Sequence, residues 1–261
     1  MIIPIDDLDD PRLAPYRLVR DRDVRGHGDA FVAEGEVVLR VLATSRFPIV
    51  SLMLEQKRVA AVRDVISALA DDTPVYVVPQ AVMDGVVGFA IHRGVLALAT
   101  RGAPLDPDTL LAAPLLLALV GLTNHDNVGG IFRNAAAFGI GGVLLDDLTC
   151  DPLYRKSVRV SVGGALVVPF ARAGDGHALI ARLVASDYDV VALTPAGEHT
   201  LESLPPVSKR AFILGTEGPG LPAELIAQAR GVRIDMAAGF DSLNVAVTSG
   251  IALYAATTTR R

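Results

Sequence analysis

From about residue 31 onward, short Val/Ile/Leu runs alternate with alanine-rich stretches whose apolar residues recur at helical spacing. Brief apolar runs bounded by turn residues read as strands. Strands that alternate with helices form parallel sheets covered on both faces. The expected fold class is therefore α/β. Aromatic residues make up only 5% of the chain and Trp is absent, so its core must be built from branched aliphatic side chains and alanine.

Punctuation along the chain divides it into zones. Residues 10–29 are dense in charge, with Arg12, Arg17, Arg20, Arg22 and Arg25 among Asp21, Asp23 and Asp29, and read as a short helix with a solvated face. Residues 31–100 read as a compact α/β unit, with helices at 34–43 and 59–69 and strands at 49–54, 75–78 and 95–99. Gly102, Pro104, Asp106, Pro107 and Pro114 give 102–114 the composition of a linker. From 115 to 261 a longer α/β run follows. Its strands are expected at 115–122, 142–145, 190–193, 211–215 and 232–235, and its helices at 128–138, 177–185, 222–229 and 243–257. Two domains result, 1–101 and 115–261, and no repeat of fixed period stands out.

Charge and thiol content exclude several classes. Lys and Arg number 24 against 29 Asp and Glu, a net charge of −5. That excludes a protein basic throughout, but not an enzyme with a local basic face for nucleic acid. The single cysteine, Cys150, excludes a disulfide framework and a multi-thiolate metal site, and no metal is expected. The segment MIIPIDDLDD lacks the positive charge of a secretory signal, and the longest apolar run, 112–122, is too short to span a bilayer. Together these features point to a cytoplasmic protein without a membrane segment.

Glycine turns after strands are where a phosphate-bearing cofactor would bind. The dinucleotide fingerprint is absent: Gly139, Gly141 and Gly142 are not followed by the last required glycine, since position 144 is Leu. Neither a phosphate-loop lysine motif nor a Gly-x-Ser-x-Gly elbow occurs. Three segments remain, each polar where a strand meets a helix. In the first, 124–134, Asn127 stands where a helix cap is expected and Arg133 follows six residues later. An arginine near a helix start opposes the macrodipole, so it has either a task or a local carboxylate. In the second, 213–221, an apolar strand enters a turn with three glycines and one carboxylate, Glu217, and Pro222 opens a helix. Glu217 is either functional or a solvated turn residue. In the third, Asp241 or Ser242 caps an almost wholly apolar, hence buried, helix, and Asn244 needs a partner there.

Taken together, in this order, the segments resemble the three motifs of the SpoU (TrmH) family of RNA ribose 2′-O-methyltransferases in the SPOUT superfamily. Asn127 and Arg133 match the first motif, Gly215, Glu217, Gly220 and Leu221 the second, and Ser242, Leu243 and Asn244 the third. The stretch 151–164, followed by Val168-Pro169-Phe170, is similar to the family's intervening segment. Phe31-Val-Ala-Glu34-Gly35-Glu36 and 94–99 resemble the small ribosomal-protein-like domain often fused ahead of the catalytic one, although Arg93 stands where glutamine is frequent.

The resemblance implies a SPOUT-type parallel sheet with a C-terminal trefoil knot, preceded by that small α/β RNA-binding domain. It implies S-adenosylmethionine as cofactor, RNA (ribosomal or transfer) as partner, and a homodimer. Leu193, Thr194, Gly215, Gly220, Ile234 and Leu243 would line the cofactor pocket. Arg133 would be the principal catalytic residue, oriented by Glu217, with Asn127, Ser242 and Asn244 positioning the nucleotide. Arg155, Lys156 and Arg159, with Arg58 in the first domain, would follow the RNA backbone. Two rivals remain: a non-catalytic RNA-binding module of the same fold, and a nucleotide-dependent oxidoreductase, which the missing fingerprint disfavours.

Overall fold

The computed structural model describes residues 1–19, 29–216, 218–239 and 242–258. The chain divides into two compact units, Met1–Ala103 with Leu153–Val167, and Pro104–Pro152 with the residues from Val168 on.

Unit one contains β1 (Ile2–Pro4), β2 (Ala30–Glu34), α1 (Glu36–Ala43), β3 (Ile49–Glu55), α2 (Arg63–Ala68), β4 (Val75–Val78), α3 (Gln80–Val87) and β5 (Val95–Thr100). Its five-stranded sheet has the order β1-β4-β3-β5-β2. The β1–β4 and β4–β3 pairs are parallel, and β3–β5 and β5–β2 are antiparallel. Met53, Met83 and Leu96 pack with Tyr16 in the core, and the buried Tyr16 and Ser51 hydroxyls meet at 2.6 Å.

In unit two, β6 (Leu115–Leu119), α4 (His125–Ala137) and β7 (Gly142–Leu145) come first. The chain then supplies α5 (Arg155–Val160) and α6 (Gly164–Val167) to unit one. It completes unit two with β8 (Phe170–Arg172), α7 (Gly176–Ala185), β9 (Asp189–Leu193), β10 (His199–Thr200), β11 (Arg210–Leu214), α8 (Ala223–Ile226), β12 (Arg230–Arg233) and α9 (Val245–Thr258). The seven strands are all parallel, in the order β10-β12-β9-β11-β6-β7-β8. Every residue of β6 and β11 is buried, as expected of central strands covered on both faces. One face packs Leu116, Ala118, Leu144 and Ile213 against Leu179, Ile180 and Leu183 of α7.

Several expectations need correction. The 102–114 stretch is not a free linker: a turn of 3₁₀ helix at Pro107–Leu110 buries Leu110 in the core of unit two. Residues 153–167 belong with unit one, because the buried Glu34 carboxylate takes the Arg155 guanidinium (Nη1–Oε2 2.5 Å) and Gly163 lies against Val41. Of the charge-dense 10–29 segment, Pro11–Val19 is 3₁₀ helix, while residues 20–28 lie outside the described residues. Helix α9 is not buried all round: Val247, Ile251 and Tyr254 are 51%, 37% and 63% exposed. Spacings of four and three place these on one outward stripe. Among the described residues no helix is long and apolar enough to cross a membrane.

Candidate functional site

In a parallel sheet, loops at the carboxyl ends of adjacent strands make the binding crevice. Strands β12, β9 and β11 are neighbours here, and the segments that follow them enclose a cavity of about 700 Å³, well within the usual range for small ligands. Leu193, Thr194, Pro195 and Ala196 come from the end of β9, residues 214–216 and 218–221 from the β11 loop, and Ile234 and Met236 follow β12. Ser242, Leu243, Asn244, Val245 and Thr248 close the wall at the start of α9.

The β11 loop owes its shape to glycine. A Cβ on Gly215 would lie 2.6 Å from the Leu221 backbone nitrogen, so the chain can fold back on itself there only without a side chain. Thr216 and Gly220 form a bridge across the turn, and Gly218 and Gly220 hold φ of 88° and 71°, which disfavour other residues. The wall thus combines apolar side chains with closely approaching backbone. No titratable residue lines it among the described residues.

All six residues expected at the cofactor come together in this one cavity: Leu193, Thr194, Gly215, Gly220, Ile234 and Leu243. Ser242 and Asn244 line it too. Asn127 stands behind Asn244, whose Nδ2 donates to Asn127 Oδ1 at 2.8 Å. Asn127 is 4% exposed, and its own Nδ2 is buried with no hydrogen-bond partner among the described residues. A buried amide donor left unpaired is costly, and one beside a cavity wall marks where an acceptor would be welcome. Glu217 lies outside the described residues, as does Asp241.

Two caps differ from expectation. Asn124, not Asn127, caps α4, its Oδ1 accepting from the Asp126 N–H at 2.9 Å. Asn127 is the third helical residue and faces inward. Arg133 consequently sits in the third turn, clear of the helix start, and the dipole argument for its having a task lapses. It is exposed and does not line the cavity. At α9 the capping side chain is Asn244, whose Oδ1 accepts from the Ala246 and Val247 N–H groups at 3.0 and 3.2 Å; an oxygen two residues earlier cannot reach both. Asn244 therefore links both helices with one amide.

The expected RNA contacts all fall in unit one. Arg155 is 13% exposed and turned inward onto Glu34, with Phe89 under its guanidinium, which removes it from a solvent-facing track. Arg159 stands 3.8 Å from the same carboxylate, Lys156 is half-buried, and Arg58 Nη2 donates to the His92 carbonyl at 3.3 Å.

Sequence reasoning missed Asp146. This carboxylate, 2% exposed, accepts from the N–H of Gly121 (3.0 Å), the N–H of Thr149 (2.7 Å) and the Thr149 hydroxyl (2.6 Å). It thereby pins the β6–α4 loop that leads to Asn127. Its signal was positional: a carboxylate directly after an apolar strand, at the carboxyl end of a parallel sheet.

Residues 114–254 match the SpoU rRNA Methylase family. A protein of Mycobacterium tuberculosis described as an uncharacterized tRNA/rRNA methyltransferase is 39% identical over 259 residues, 95% of this chain and 89% of its own. An AdoMet-bound rRNA methyltransferase from Sinorhizobium meliloti superposes with a TM-score of 0.83 at 25% identity, covering 99% of this chain and 98% of that one. A chain solved in work on 2-OH methylation of tRNA is 28% identical with a TM-score of 0.52, and covers 56% of this chain and 97% of its own.

Proposed function

This chain belongs to the SpoU rRNA methylase family, and from that premise we propose that it transfers a methyl group from S-adenosylmethionine to a ribose 2′-hydroxyl of structured RNA. The observation that carries the reading is the convergence of Gly215, Gly220, Ile234 and Leu243 with Asn244 in one cavity, with Asn127 linked behind it. The cavity suits the cofactor: apolar side chains for an adenine and a thioether chain, glycine backbone for close approach, and polar groups at Thr194, Ser242 and Asn244. When bound, S-adenosylmethionine supplies an electrophilic methyl on a positively charged sulfur.

The protein's own part is to hold and to polarise. A guanidinium presents only N–H groups, so Arg133 acts as a hydrogen-bond donor. It grips an RNA phosphate and stabilises charge developing on the ribose oxygen. Glu217 orients the guanidinium, while Ser242 and Asn244 fix the nucleotide and Asn127 holds Asn244 in place from behind. Positioning of this kind is worth roughly 7–11 kcal/mol for a bimolecular step.

Ribosomal RNA is favoured over transfer RNA. The rRNA-acting neighbour covers 99% of this chain, whereas the tRNA-related one covers 56%. The reading includes a homodimer, supported by the outward apolar stripe of Val247, Ile251 and Tyr254. It also includes a trefoil knot, supported by β12 pairing outside β9 before α9 returns to α4. The rival reading, a binding module without chemistry, draws on the absence of titratable groups from the described wall. Calorimetric titration with S-adenosylmethionine and S-adenosylhomocysteine, followed by mapping of 2′-O-methyl sites in total RNA with and without the gene, tests both. We expect cofactor binding and one ribosomal site that depends on the gene. Lack of affinity for either compound sinks the enzyme, and binding without any methylated site favours the module.

A further inference from the structure

On α4, Asn127 and Asn134 are seven residues apart, close to two full turns, and so share a face. Gly130 lies between them on that face. A Cβ on Gly130 would stand 2.7 Å from the Ala246 Cβ, and one on Gly250 would stand 3.2 Å from the Asn134 amide nitrogen. Helices α4 and α9 therefore approach closely through glycine. They also run in the same direction: Asn127 meets Asn244, Asn134 meets Ala246 and Ser249, and Phe138 meets Tyr254 edge-on at 6.4 Å between ring centroids. Side-by-side parallel helices place like dipole ends together, a mild repulsion that cross-helix hydrogen bonds must offset.

Asn134 provides the larger share of those bonds. Its Nδ2 donates to the Ala246 carbonyl at 2.6 Å and to the Ser249 hydroxyl at 2.9 Å, which uses both of its protons. Ser249 is fully buried and donates in turn to the same carbonyl at 2.7 Å. The bonds hold the turn of α9 that carries Asn244, Val245 and Thr248, all in the cavity wall. Asn134 also fixes the roll of α4, and Arg133 is its immediate neighbour, about 100° further round the helix.

We infer that Asn134, with Ser249, is a positioning residue for methyl transfer: it sets the cavity wall on α9 and the direction of Arg133 on α4 from one amide. The inference rests on the reading of this cavity as the cofactor site. Neither side chain lines the cavity, so both act through the residues they hold. Misplacement of reacting groups by about 1 Å can cost about a hundredfold in rate, which makes such a lock visible in turnover.

The test compares Asn134→Ala, the isosteric Asn134→Asp (which loses both donors), and Ser249→Ala with the parent and with Ile180→Val. Ile180 is a core residue of α7 that does not itself line the cavity, and its variant controls for general loss of stability. For Asn134→Ala and Asn134→Asp, kcat should fall at least tenfold and S-adenosylmethionine affinity about fivefold, with KM for RNA within twofold. Ile180→Val, at a comparable drop in Tm, should keep the parent's kcat and affinity. Ser249→Ala keeps the Ala246 bond and should weaken the cofactor two- to threefold. Folded Asn134 variants with the parent's affinity and kcat overturn the inference. Should they fail to fold, an unchanged affinity in Ser249→Ala overturns it instead. A parent that binds no S-adenosylmethionine overturns the reading of the cavity, a result separable from either.

Discussion

Arg133 is exposed and lies outside the cavity wall, so its proposed work is toward RNA rather than cofactor. Arg133→Ala should lower kcat about 10²–10³-fold, the usual cost of removing one preorganised donor, while calorimetry finds S-adenosylmethionine affinity within twofold of the parent. Cys150 gives a second test. Burial, followed by the neighbouring Asp151 charge, pushes its thiol up to about 12. A folded pKa above the unfolded value means that the neutral thiol stabilises the fold below about pH 9. That contribution disappears as pH rises toward 12. At pH 8 the folded protein should react with a thiol reagent many times more slowly than the urea-unfolded chain, and equal rates would contradict the burial. Glu34→Ala should destabilise unit one by about 3 kcal/mol in urea denaturation, because Arg155 is left buried without its partner. At this scale the sequence was most informative at strand ends, where Gly215, Ser242 and Asn244 each stand out as polar or small residues after an apolar run. It misled at Asn127, because Asn124 and Asn127 are both good caps and only the packing of α4 on α9 decides between them.

The elements with unbroken apolar runs or strong helical periodicity were legible: β4, β6, β7, β9, β11, α4, α7 and α9 all lie within a few residues of expectation. Others were not. Strand β10 has two residues and exists only by pairing with β12. The sequence of α5, RKSVRV, carries no clean helical stripe, and Gly85 interrupts the pattern of α3. Helix α9 was misread as buried because its apolar residues occupy every face, a pattern shared by core helices and helices that meet a partner. The homodimer reading turns this into a measurement. Ile251→Asp should convert the dimer to monomer in light scattering, with circular dichroism unchanged; a monomeric parent would remove the dimer from the reading. Gly130→Val should cost about 1–3 kcal/mol in urea denaturation, since its side chain has no room against Ala246.

At the scale of the whole molecule, the α/β class was readable, but not which residues build each compact unit. Residues 153–167 follow β7 without any break in composition, and the Glu34–Arg155 pair that commits them to unit one joins positions 121 apart in sequence. Local patterns cannot register such a link. It has a consequence for synthesis on the ribosome. Emergence of the first 103 residues leaves Glu34 waiting for its arginine until about fifty more have been added. At about 5–20 residues per second, the nascent unit spends several seconds with that carboxylate unmatched, a window in which a chaperone would find it open.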